Sequence, residues 1–106
     1  MNVLEQVRTK KRKLAILRLL QQEPDFSISV FDLSEVLALM GHRVATHQIN
    51  QDIAHLHTLK LVSLNDGDGV IATLTQMGAD VANGLMVVPY RYLFFSFNFY
   101  KSIVTF

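Results

Sequence analysis

The residues best suited to chemistry lie between Gly41 and Val62, where the chain reads GHRVATHQINQDIAHLHTLKLV. The stretch is crowded with amides and imidazoles. In the major groove of DNA, Asn and Gln can each bond an adenine edge at two points, and His can donate to guanine. Thr46, His47, Gln48, Asn50, Gln51 and Thr58 are therefore the candidate base readers. Arg43 beside them, with Lys11 and Arg12 from the basic N-terminal segment, are the candidate sources of positive charge.

Other chemistries find little support. The four histidines His42, His47, His55 and His57 sit close in sequence. No two are four residues apart, His55 and His57 point ~160° away from each other on a helix, and no cysteine assists them, so a metal site is not expected. Their protonation near a reference pKa of ~6.5 would strengthen DNA binding at lower pH. Asp52 reads as structural, bonded to a backbone N–H or paired with a base such as Arg43. No nucleophile has a base at a recognisable spacing, and neither a phosphate-binding glycine loop nor paired carboxylates stand out. The expectation is a non-enzymatic protein with no cofactor and no small-molecule substrate.

The elements that must hold these residues follow from periodicity and punctuation. Val3, Val7, Leu14 and Leu17, widened by Ile16 and Leu20, define the apolar side of a first helix over Val3 to Gln22. Arg8, Lys11, Arg12, Arg18 and Gln22 gather opposite, and Glu23-Pro24-Asp25 ends the helix. After a short extended piece, FSIS, Ser29 is placed to cap a second helix from Val30 to Met40. Its expected buried face is Val30, Leu33, Val36, Leu37 and Met40, with Gly41 as the left-handed residue beyond its end.

The third helix spans about Thr46 to Leu59, with Ile49, Ile53, Leu56 and Leu59 inward and Asp52 at their edge. Ala45 stands where a capping residue is expected, which leaves Thr46 to cap. LVSL (61–64) and VIATL (70–74), separated by Asn65-Asp66-Gly67-Asp68-Gly69, predict a β-hairpin. Thr75 then caps a short helix from Gln76 to Asn83, which Gly84 closes. Helix, helix, turn, helix, hairpin, helix is the order of a winged helix-turn-helix domain, mainly α with a small β-hairpin.

LSEVLALMGHRVATHQINQDIAHLHTLKLV followed by VIATLTQMGADVANG resembles the small winged-helix proteins of Mu-like phages and prophages. The likeness covers roughly residues 10–89. Its most specific parts are the GHRV turn, the L-x-x-L-x-L-V run into the hairpin and A-T-L-T-x-x-G-x-x-V-A-x-G. That last motif is also similar to the strand-to-helix junction of MarR-like and ArsR-like regulators. The resemblance implies DNA binding, regulation of transcription and a phage setting, without a firmly assigned role. A homodimer on double-stranded DNA is the expected state, and a phage protein is the alternative partner.

Composition bounds these readings. A chain of 106 residues, half of them hydrophobic and 18% charged, suits one compact core rather than two or a disordered polymer. The absence of cysteine suits a reducing cytoplasm, and no segment has a signal-peptide layout. The net charge of +1 conceals segregation. Arg8, Lys10, Lys11, Arg12, Lys13 and Arg18 crowd the first helix, whereas Glu23, Asp25, Asp32 and Glu35 follow it and Asp66 and Asp68 occupy the hairpin. Phosphate neutralisation supplies most non-specific DNA affinity, so the first helix or a second copy must provide it.

The reading divides the chain into a domain over 1–89 and a tail over 90–106. The tail, YRYLFFSFNFYKSIVTF, holds eight of the chain's ten aromatics. FSFNFY alternates as a strand with one apolar face. Arg91, Ser96, Asn98 and Lys101 interrupt it too often for a transmembrane segment. Packing on its own domain, pairing across a dimer and lying at a membrane surface are all open to it. The leading reading is a frameshifted or read-through ending, because the resemblance breaks after Pro89 where the family ends in a short polar, basic tail.

Overall fold

The computed structural model describes residues 2–84. The expected strand in FSFNFY, and the tail as a whole, lie outside them. Four helices and one small sheet follow in the order α1 (Val3–Gln22), β1 (Ser27–Ser29), α2 (Val30–Leu39), α3 (Thr46–Thr58), β2 (Val62–Gly67), β3 (Gly69–Leu74) and α4 (Gln76–Ala82). The domain is thus mostly helical, with a three-stranded antiparallel sheet ordered β1-β3-β2.

Local chemistry sets most boundaries. Asn2 accepts from the Glu5 N–H at 2.8 Å, Ser29 from Asp32 at 3.1 Å and Thr75 from Gly78 at 3.0 Å, so three helices begin on a side-chain cap. The fourth does not. Ala45 occupies the cap position of α3 with no side-chain bond, and Thr46 is already helical, which corrects the expectation that Thr46 caps. α2 closes as expected: Gly41, at φ +94°, lets the His42 N–H return to the Leu37 carbonyl at 2.8 Å. α3 closes the same way without glycine, since Lys60 adopts φ +65° and Leu61 donates to Leu56 at 3.0 Å.

The hairpin is longer than its apolar residues suggest. Val62↔Leu74 through Gly67↔Gly69 are paired, so Asn65 and Asp66 belong to a strand and Asp68 forms the tip. Pairing uses backbone groups, which are indifferent to side-chain polarity. On one sheet face Ile28, Val62, Ala72 and Leu74 turn inward, while Ser27, Ser63 and Thr73 turn out.

The core joins Ile16, Leu17 and Leu20 of α1, Leu33 and Leu37 of α2, Ile49, Ile53 and Leu56 of α3, and the sheet's inner face. Each such side chain contributes roughly 1.5–3 kcal/mol on burial. Thr75 ties the hairpin to α4, its hydroxyl donating to the Lys60 carbonyl at 2.8 Å. Gly78 is buried where a Cβ would strike the Leu61 carbonyl oxygen and lie 2.7 Å from Leu74 Cδ1, so α4 can approach only through glycine.

Two expected faces are revised. Val3 is 75% exposed and Val7 half-buried, whereas Thr9, Lys10, Arg12 and Lys13 are buried. Carrying the Ile16–Leu20 stripe back by threes and fours lands on Lys13, Arg12 and Thr9, and this is the side that other elements cover. In α2, Met40 is exposed and Val36 only half-buried. No helix among the described residues is long and apolar enough to cross a membrane.

Candidate nucleic-acid interface

The buried face of α3, formed by Ile49, Ile53 and Leu56, fixes what its other side presents. Thr46, His47, Asn50, Gln51 and Thr58 are exposed along it, and Gln48 is half-buried. The Thr58 hydroxyl donates to the Ala54 carbonyl at 3.0 Å, which leaves it an acceptor toward any base. Arg43 is exposed in the turn before α3. Thus Arg43, Thr46, His47, Asn50, Gln51 and Thr58 share access to solvent on or beside one helix.

The basic residues of α1 divide differently from the sequence expectation. Arg8, Lys11 and Arg18 are exposed. Arg12 is not on their solvated side: its Nη2 donates to Asp52 Oδ1 at 3.2 Å and its Nε bonds Oδ2. The two side chains are only 4% and 3% exposed, so Arg12 is consumed in an internal pair and is removed from the candidate contacts. Asp52 is structural as expected, but its partner is Arg12 rather than Arg43.

Arg8 takes the place that Arg12 vacates. With Arg12, Ala45, His47 and Gln48 it lines a cleft of about 330 Å³ between α1 and the start of α3. Ala45 offers no side-chain acceptor there. The start of α3 and the Arg8 side of α1 thus border one open recess, whose lining also includes the acidic Glu5. Sequence reasoning grouped Arg8 with the basic side of the first helix without placing it beside the third. Helical spacing carries no signal for that proximity.

Behind the exposed face lies a cationic cluster. Lys13 Nζ is 3.3 Å from His55 Nδ1. Burial pushes the Lys13 ammonium down to about 8, with Asp52 opposing the shift and Arg12 reinforcing it. His42, half-buried in the turn, is lowered by burial and by the charge of Arg12, with Asp52 acting the other way and Lys11 adding to the lowering. Its imidazole therefore takes up a proton only below the ordinary range, so His42 adds less positive charge near neutrality than the sequence suggests.

At the far end, the hairpin exposes Asp66 and Asp68, which repel phosphate. Among the described residues, no group of three or more His, Asp or Glu side chains is arranged to hold a metal ion. Comparison of the chain with protein-family models, curated proteins and solved structures finds no match.

Proposed function

We propose that this protein is a winged helix-turn-helix DNA-binding protein of phage or prophage type, acting in transcription regulation without enzymatic activity. α3 is its recognition helix and β2–β3 its wing. The element order helix, strand, helix, helix, hairpin, helix supports the fold assignment, and the phage setting rests on the resemblance of the sequence motifs alone. The observation that carries the reading is the exposed amide and imidazole face of α3, bordered at its start by the Arg8 cleft. Asn50 and Gln51 read base edges, while Arg8, Lys11 and Arg43 meet phosphates. Because three cations per chain give weak phosphate affinity, a homodimer doubles the contact.

The test is duplex binding at about 50 mM salt, where phosphate contacts are strongest. A salt-sensitive shift that weakens when Asn50 and Gln51 are both replaced by alanine is expected. Failure of every duplex to shift removes the reading.

A second reading, a protein-interaction module using the same domain, draws on different observations. Phe31 is 72% and Leu39 85% exposed on α2, and the hairpin tip is acidic. A folded chain that shifts no duplex moves the assignment there.

A further inference from the structure

α2 turns a partly apolar side away from the core. Phe31, Ser34, Glu35 and Ala38 recur there at helical spacing, while Leu33 and Leu37 face inward. Phe31 is 72% exposed, and with Val30, Ala38 and Val44 it walls a groove of about 430 Å³ between α2 and the start of α3. A space of that size accepts small organic molecules, and so aromatic side chains. Glu35 is the one charged residue among the described residues that line it, and Arg43, which precedes the wall residue Val44, is not in the lining. Asp32 is exposed one position after Phe31.

The chain itself carries a segment matched to this groove. Residues 85–106 hold eight of the ten aromatics, with Arg91 and Lys101 as cations and no acid. A run such as FSFNFY is aggregation-prone unless covered. Reach is sufficient, since the segment spans roughly 70 Å when extended, against a longest domain dimension of 41 Å. Charge then selects among the faces within reach. The Arg8 cleft sets two arginines against Glu5 and disfavours a cationic segment, whereas the α2 groove offers Glu35 with Asp32 nearby. The hairpin is acidic too, but its exposed Val70 and Ile71 point to opposite faces of the sheet and form no joint apolar wall.

We propose that the α2 groove is the docking site of this chain's own C-terminal segment, which places aromatic side chains of residues 90–106 in the hollow and its cations toward Glu35 and Asp32. Of the placements open to the tail, this selects packing on its own domain. It stands whether or not α3 binds DNA. A groove filled from within withdraws Phe31 from any separate partner. Thr46 also lines the groove, so the docked segment borders the start of α3.

The chain has no cysteine, so introduced pairs can be read by disulfide closure in the full-length protein. Ala38→Cys in the groove is combined in turn with Ser96→Cys, Asn98→Cys and Ser102→Cys, and Asp68→Cys at the hairpin tip replaces Ala38→Cys as the reference. In dilute solution at least one groove pair should close roughly tenfold faster than its reference pair, because docking raises the effective concentration. The product should have the mass of one chain. Equal rates for all three pairs, or faster closure at the hairpin, overturn the proposal. A product of two linked chains also overturns it and gives the groove to a second copy. Hydroxyl-radical labelling of the unmodified chain is an independent readout. Phe31, 72% exposed, should react more slowly than Phe26, 47% exposed, which reverses the order set by their exposure. A Phe31 that reacts as fast as Phe26 or faster sinks the docking even if the variants fail to fold.

Discussion

Arg12 and Asp52 join α1 to α3 by a two-point, charge-assisted contact between side chains that are almost wholly buried. The pair lies directly behind the exposed face of α3, so the position of that face depends on it. Bidentate geometry fixes orientation as well as distance.

Removing one partner strands the other. Asp52→Ala leaves a buried guanidinium without its counter-charge, and a loss of roughly 3–5 kcal/mol in urea-unfolding stability is expected. The double change Arg12→Met with Asp52→Leu should recover most of it, because two apolar groups in place of a buried pair are often near neutral. A double variant no more stable than Asp52→Ala would contradict this account of the pair.

The same pair predicts a division among the basic residues of α1. In a salt titration of duplex binding, Arg8→Ala should lower the slope of log K against log salt by about one, as expected for the loss of one phosphate contact. The Arg12→Met, Asp52→Leu chain should keep the parent slope, because in the parent the Arg12 guanidinium faces Asp52 and not solvent. Equal slopes for Arg8→Ala and the parent would remove Arg8 from the interface.

Lys13 gives the domain an alkaline signature. Its folded value of about 8 lies below the ordinary 10.5, so between those limits the unfolded chain binds more protons than the folded one. Stability from this group therefore rises as pH climbs from about 8 to 10.5 and is level below that window. Chemical unfolding of the parent and of Lys13→Met across the window should show the parent gaining on the variant. Parallel profiles would mean that Lys13 is not desolvated in the fold.

Gly78 tests the seating of α4. A methyl group there meets the Leu61 carbonyl oxygen, and backbone cannot step aside as a flexible side chain can. Gly78→Ala should cost about 1–3 kcal/mol or more, despite alanine's better helix propensity. A thermal-unfolding midpoint equal to or above the parent's would show that α4 can shift without penalty.

What could be read in the sequence was what depends on neighbours along the chain. Ser29 and Thr75 cap because their hydroxyls reach an N–H three residues on, and Gly41 ends α2 because it alone enters the left-handed region without steric cost. The polar face of α3 was equally legible, since the spacing of Ile49, Ile53 and Leu56 already dictates which residues lie opposite. The left-handed Lys60 was not, because its strain is offset by the Leu61 to Leu56 closure rather than by any preference of lysine.

Periodicity tells which residues of α1 share a side, but not which side another element will cover. The sequence pointed to Val3 and Val7, and packing instead covered Thr9, Arg12 and Lys13. Arg12 meeting Asp52, Lys13 meeting His55 and Arg8 bordering the start of α3 all join residues about forty positions apart. Only the docking of α1 against α3 decides those distances, because helical order along a chain constrains neighbours within a turn and leaves the approach of two helices to the shape of the core between them.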